Sequence, residues 1–113
     1  MNIEIAASQL EALGSPIRLG IYRILVRAGD NGLAVGQLQK RVGMPASTLS
    51  HHLKRLIDTA LVQQERAGTS LICHAEYPAM DALLAFLTAE CCADEHQRAD
   101  PRATQEAATH SVP

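Results

Sequence analysis

Two parts of this chain carry side chains that can do chemistry: the adjacent Cys91 and Cys92, and the run of hydroxyls and imidazoles from Ser47 to Leu56. Vicinal thiolates are soft donors. They suit thiophilic, three-coordinate metalloids such as trivalent arsenic or antimony, and they are equally open to oxidation. A disulfide between neighbours is strained, because adjacent Cα atoms lie only about 3.8 Å apart. A bridge between two subunits avoids that strain. The third thiol, Cys73, alternates with Leu71 and Ala75 and reads as a core side chain. It becomes a third ligand only if its strand approaches Cys91 and Cys92, from the same subunit or another. His96 and His110 have no regular ligand spacing and read as solvated.

The second group is Ser47-Thr48-Leu49-Ser50-His51-His52-Leu53-Lys54-Arg55-Leu56. At helical spacing Leu49, Leu53 and Leu56 form a buried stripe. Ser47, Thr48, Ser50 and His51 are then free to meet phosphates and base edges in a major groove. Ser47 and Thr48 fall near the helix start, where open backbone N–H groups favour phosphate. Lys54 and Arg55 come later and suit the DNA backbone, while Arg66 and Thr69 suit an adjacent minor groove or phosphate. His52, flanked by leucines, reads as a packing residue. Taken alone, the same stretch is equally an amphipathic surface helix.

The elements around it decide between those readings. Ile3, Ala6, Leu10 and Leu13 fall at helical spacing, closed by Gly14, and Ser15-Pro16 reads as an N-cap followed by proline at the first helical position. Ile17, Ile21, Ile24, Leu25 and Ala28 give a second helix its stripe, and Gly29 to Gly32 stop it. Val35, Leu38 and Val42 define a short third helix ended by Gly43, and the Ser47 helix follows Met44-Pro45. Leu61 to Arg66 and Ser70 to Glu76 are strand candidates around Ala67-Gly68-Thr69. Pro78 opens a last helix running to about Cys92 that is apolar on nearly all sides. A chain of this size cannot cover such a surface alone, so it predicts a second subunit, with the first helix as its companion in the interface.

The expected fold is therefore mainly α with a small β-hairpin: a winged helix-turn-helix, α-α-α-α-β-β-α, paired as a homodimer through its first and last helices. Residues 1–92 form the DNA-binding and dimerisation domain. From Ala93 to Pro113 the composition loses periodicity and reads as a disordered tail.

Several motifs now resemble one family. Leu13-Gly14-Ser15-Pro16-Ile17-Arg18-Leu19, the Ser47–Leu56 helix and Ala60-Leu61-Val62 resemble the opening, the recognition helix and the wing entry of ArsR-type repressors. The resemblance spans residues of about 10 to 92. Pro45 departs from it, standing where a polar N-cap residue is usual. The family implies a homodimeric repressor on double-stranded operator DNA that lets go when a metal, metalloid or thiol-reactive signal arrives, with Ser47, Thr48, Ser50 and His51 reading the operator. Two of its metal sites are missing here. Gly32-Leu33-Ala34-Val35-Gly36 lacks the Cys-x-Cys box, and Asp81-Ala82-Leu83 lacks the Asp and His pairs of the last-helix zinc site. Ala85 to Cys92 instead resembles a subset whose arsenic site lies at the end of the last helix. That makes Cys91 and Cys92 the expected metal ligands and As(III) or Sb(III) the expected inducer. The downstream third cysteine of that subset is lacking, which leaves Cys73, a solvent or buffer thiol, or a methylated arsenical to complete the coordination.

Bulk properties agree with this class. The net charge of −2 hides a basic middle: Ser15 to Ser70 carries +5, against −2 before it and −5 after it. Such asymmetry suits one face meeting a polyanion. The chain shows no signal-peptide pattern and no membrane-length apolar run, so a cytoplasmic protein without membrane contact is expected. No phosphate loop, carboxylate pair or supported Cys–His dyad argues for an enzyme. A thiol-redox repressor of the same fold and a winged-helix protein-interaction module are the alternatives.

Overall fold

The computed structural model describes residues 1–95 of the 113. Chain order is α1 (Ile3–Leu13), α2 (Pro16–Ala28), β1 (Leu33–Ala34), α3 (Val35–Val42), α4 (Ala46–Asp58), β2 (Val62–Ala67), β3 (Ser70–Ala75), α5 (Tyr77–Thr88) and a 3-10 turn (Ala93–Glu95). The local signals act as their chemistry dictates. Asn2 caps α1 by accepting from Ile5 N–H, and Ser15 caps α2 by accepting from Arg18 N–H. Gly43 ends α3 in the left-handed region, at φ 67°.

The sheet has order β1-β3-β2 and is antiparallel throughout, with Leu33 opposite Cys73 and Val62 opposite Ala75. Strand β1 is an addition to the sequence expectation, because a two-residue strand has no periodicity to read. Its Gly32 sits at φ 66° with the Cys73 carbonyl filling the place a Cβ would need, so this entry requires glycine. The wing turn is also shorter than expected: Ala67 and Ser70 are paired, leaving Gly68 and Thr69 at the tip.

One core joins these elements. Ile21, Leu25, Leu38, Leu49, Leu56, Leu61, Val62 and Cys73 are fully buried. Helix α1 differs from expectation. It buries Ala6, Gln9 and Ala12, while Ile3 and Leu10 of the expected stripe are exposed, at 71% and 42%. The small side chains let α1 approach α2 and α4 closely, and the large apolar ones face outward. Ile17 of the expected α2 stripe is likewise exposed, and Tyr22 is buried instead. On α5 only Leu83 is buried; Leu84 and Leu87 are more than half exposed.

Helix α5 ends at Thr88, short of the expected Cys92. The Thr88 hydroxyl donates back to the Leu84 carbonyl at 3.0 Å, and the chain then turns. Of the expected tail, Ala93 to Glu95 form the 3-10 turn, while residues 96–113, with His96 and His110, lie outside the described residues. Among the described residues no helix is long and apolar enough to cross a membrane.

Candidate functional site

Helices α3 and α4 are joined by a turn held at both ends. Gly43 N–H donates to the Gln39 carbonyl at 2.8 Å, and the Gln39 side-chain amide donates to the Met44 carbonyl at 3.2 Å. Pro45 then enters α4 with no side-chain cap. The first N–H groups of α4 are therefore left open beside Ser47 and Thr48, an arrangement that suits an anion. Leu49, Leu53 and Leu56 anchor the helix in the core. Ser47, Thr48, Ser50, His51 and Lys54 are all exposed on α4, and Arg66 and Thr69 are exposed at the wing.

The two basic residues of α4 are not equivalent. Lys54 Nζ lies 3.0 Å from Asp58 Oδ2, an exposed pair one helical turn apart. Arg55 points the other way and is half-buried. Its guanidinium donates to Glu11 Oε1 of α1 at 2.5 Å. Close by, the Gln9 side-chain amide donates to the Thr59 carbonyl at 2.9 Å. Helix α1 thus grips the C-terminal end of α4 at two points, and the structure gives Arg55 a carboxylate partner inside the subunit. No local pattern signals a pair 44 residues apart.

His52 is half-buried, and its Nδ1 is buried without a hydrogen-bond partner. Burial first, then the neighbouring Arg18 and His51, holds its pKa below the usual histidine value. The ring lies edge-on to His51, with centroids 5.9 Å apart. Arg18, from the opening motif, turns its Nε to the Ala12 carbonyl at 2.7 Å and so ties the end of α1 to α2.

At the wing, His74 is clasped on both sides. Nδ1 lies 2.9 Å from the Asp30 carbonyl and Nε2 lies 2.6 Å from Glu65 Oε1. This links the α2–β1 turn to both wing strands, and the sequence reading missed it. Lys40, exposed on α3, belongs to the basic middle of the chain but to none of the motifs.

The thiols separate into two environments. Cys73 is fully buried, with the Gln64 amide 3.4 Å from its Sγ. Burial pushes its pKa up, only partly opposed by that hydrogen bond. Cys91 and Cys92 are exposed in the turn after α5, their Sγ atoms 3.7 Å apart. Cys92 adopts φ 59°, the left-handed region that a non-glycine residue rarely enters. Among the described residues no three Cys, His, Asp or Glu side chains gather as a metal site, so Cys73 does not join the vicinal pair within one subunit.

Comparison with known proteins places this arrangement. Residues 13–65 match a family described as a helix-turn-helix domain. The chain is 33% identical over 91 residues to the HTH-type transcriptional regulator YgaV of Escherichia coli (strain K12), covering 80% of this chain and 90% of that protein. The crystal structure of NolR from Sinorhizobium fredii is 33% identical, with a TM-score of 0.61 over 78% of this chain and 85% of that one. A homodimeric winged helix-turn-helix DNA-binding domain from Mycobacterium bovis, described as a possible ArsR-family regulator, is 26% identical with a TM-score of 0.62, covering 88% and 87%. With the α3–α4 reading unit, the three-stranded wing and these relatives together, the chain belongs to the ArsR-type helix-turn-helix transcriptional regulators, which bind DNA and are not enzymes.

Proposed function

We propose that this protein is a homodimeric operator-binding repressor that releases DNA when a trivalent arsenical or antimonial binds Cys91 and Cys92. The observation that carries the proposal is the thiol pair itself: two exposed Sγ atoms 3.7 Å apart, in a left-handed turn that directly follows α5. One soft atom can bridge that gap, and the donor set is the one such an atom prefers. A pair of thiolates fits best a species that already carries one covalent substituent, such as a methylated arsenical. Inorganic As(III) or Sb(III) needs a further ligand from solvent, from a small thiol or from the partner subunit.

Dimerisation is supported by the apolar surface left on the helices expected to pair. Ile3, Ile5 and Leu10 on α1 and Leu84 and Leu87 on α5 are all exposed. The homodimeric relative from Mycobacterium bovis argues in the same direction. Two subunits would set two α4 helices about 34 Å apart, one DNA turn, with Ser47, Thr48, Ser50 and His51 toward base edges. Ligation next to α5 acts on the helix that sets the relation between subunits. To work as a switch it must favour the DNA-incompetent state by a coupling of about 1–3 kcal/mol. Oxidation is the second reading, favoured by the same exposure of both thiols.

The test is fluorescence anisotropy of the reduced protein on its own upstream promoter. Arsenite, methylarsenite, antimonite and peroxide are added separately to wild type and to the Cys91→Ser/Cys92→Ser double variant. Release by an arsenical or antimonial that vanishes in the variant supports the proposal. Release by peroxide alone moves the protein to the redox sensors, and no release by any of them refutes the inducer assignment.

A further inference from the structure

The sequence assigns phosphate contacts to Lys54, Arg55 and Arg66, yet in the structure two of these cations already have carboxylate partners, Asp58 and Glu11. Lys40 and Arg66 have none among the described ion pairs and hydrogen bonds, and they line one cleft. It lies between α3 and the wing, with a volume of about 710 Å³. Gln37, Thr69 and Ser70 add amide and hydroxyl groups to its wall, and no carboxylate lines it.

The sheet creates this juxtaposition. Pairing of Ala34 with Ile72 brings the start of α3 beside the base of the wing. Arg66 stands opposite Leu71 on the neighbouring strand. A Cβ at Gly36 would meet nothing within 4 Å, so the cleft is open along α3. The cleft also continues the reading face. It shares Val35 and Leu71 with a groove lined by Ser50 and Lys54 of α4 and Gln64 of β2.

We infer that the α3–wing cleft seats the DNA sugar-phosphate backbone beside the stretch read by α4, with Lys40 and Arg66 as its paired cations. This rests on the DNA-binding reading proposed above. Phosphodiester oxygens match the site chemically: an ammonium as a mobile point charge, a guanidinium as a fixed fork, and hydroxyls as neutral donors. Lys40 replaces Arg55 in the set of backbone contacts. An acidic protein segment would satisfy the same charges, and the test separates it from DNA.

The experiment measures the affinity of the full-length protein for its upstream promoter and for an unrelated duplex, from about 50 to about 200 mM salt. Lys40 is exposed, so Lys40→Gln leaves the core intact. Losing one phosphate contact lowers the slope of log affinity against log salt by about 0.9, so the advantage of wild type over Lys40→Gln shrinks about threefold across that range. The loss is equal on both duplexes, and Lys40→Arg restores most of it. Arg55→Gln leaves the slope unchanged. A Lys40→Gln slope equal to that of a wild type that does bind DNA overturns the phosphate seat, turns the cleft over to an acidic protein partner and leaves the DNA reading standing. A wild type that binds neither duplex overturns both.

Discussion

Replacing Gln9 by Glu exchanges an N–H donor for a carboxylate oxygen at a position only 2% exposed. In the native contact the amide donates to the Thr59 carbonyl at 2.9 Å, at the C-terminal end of α4. An ionised carboxylate in its place would set acceptor against acceptor in a dry contact. Burial raises a carboxyl pKa by up to about 3–5 units when complete. Taking a rise of about 2.7 units from the ordinary value near 4.3, at about 1.4 kcal/mol per unit, the cost at pH 8 is about 3–4 kcal/mol. The protonated acid, in contrast, can donate its O–H to Thr59 and keep the bond. A carboxyl whose folded pKa is raised contributes full stability below its unfolded pKa and loses it as pH rises through the folded value. The deficit against wild type therefore shrinks to about 1 kcal/mol at pH 5. Urea denaturation of wild type and Gln9→Glu at both pH values, at one protein concentration, measures this. Equal deficits at pH 5 and pH 8, or none at pH 8, would refute the buried amide contact between α1 and α4.

Gly32→Ala puts a Cβ against the Cys73 carbonyl at φ 66° and should cost about 3 kcal/mol or more, read as a thermal midpoint lower by several degrees; an unchanged midpoint contradicts the close approach. An aromatic disulfide reagent at pH 8 should label Cys91 and Cys92 rapidly and Cys73 only after unfolding, because burial hides that thiol and raises its pKa; three fast equivalents would contradict its place in the core. In a double-mutant cycle, Glu11→Gln with Arg55→Gln should show a coupling of about 1 kcal/mol or less that fades with salt, since both side chains are substantially exposed. A larger coupling, insensitive to salt, would mean that the pair is covered in the dimer.

The reading unit was legible because its signals are local and agree with one another. Leu49, Leu53 and Leu56 repeat at helical spacing and are buried, and Gly43 supplies the left-handed turn that separates α3 from α4. What escaped depends on distance or on choice of face. Helical period shows that α1 has apolar sides but not which one faces its own subunit. There the small side chains Ala6 and Ala12 won, because they let helices approach closely. The Arg55–Glu11 pair, the clasp on His74 and the Lys40–Arg66 cleft all join residues far apart in the chain. They depend on sheet register and helix packing, which no sequence window contains. The end of α5 was misplaced because Ala89 and Glu90 carry no stop signal; the chain turns only after the Thr88 hydroxyl bonds back into the helix.

From Gln63 to Thr69 every side chain of the wing is exposed, and of strand β2 only Val62, at its root, enters the core. The tip is therefore held by the β2–β3 ladder and its turn, with almost no packing to lose. Residues there can drift without endangering the fold, since surface substitutions of this kind usually change stability by no more than about 0.5 kcal/mol. Selection can thus remodel what the wing touches while α4 stays locked in place by its leucines. Within one scaffold, the rate at which preference for DNA changes is uncoupled from the rate at which architecture changes.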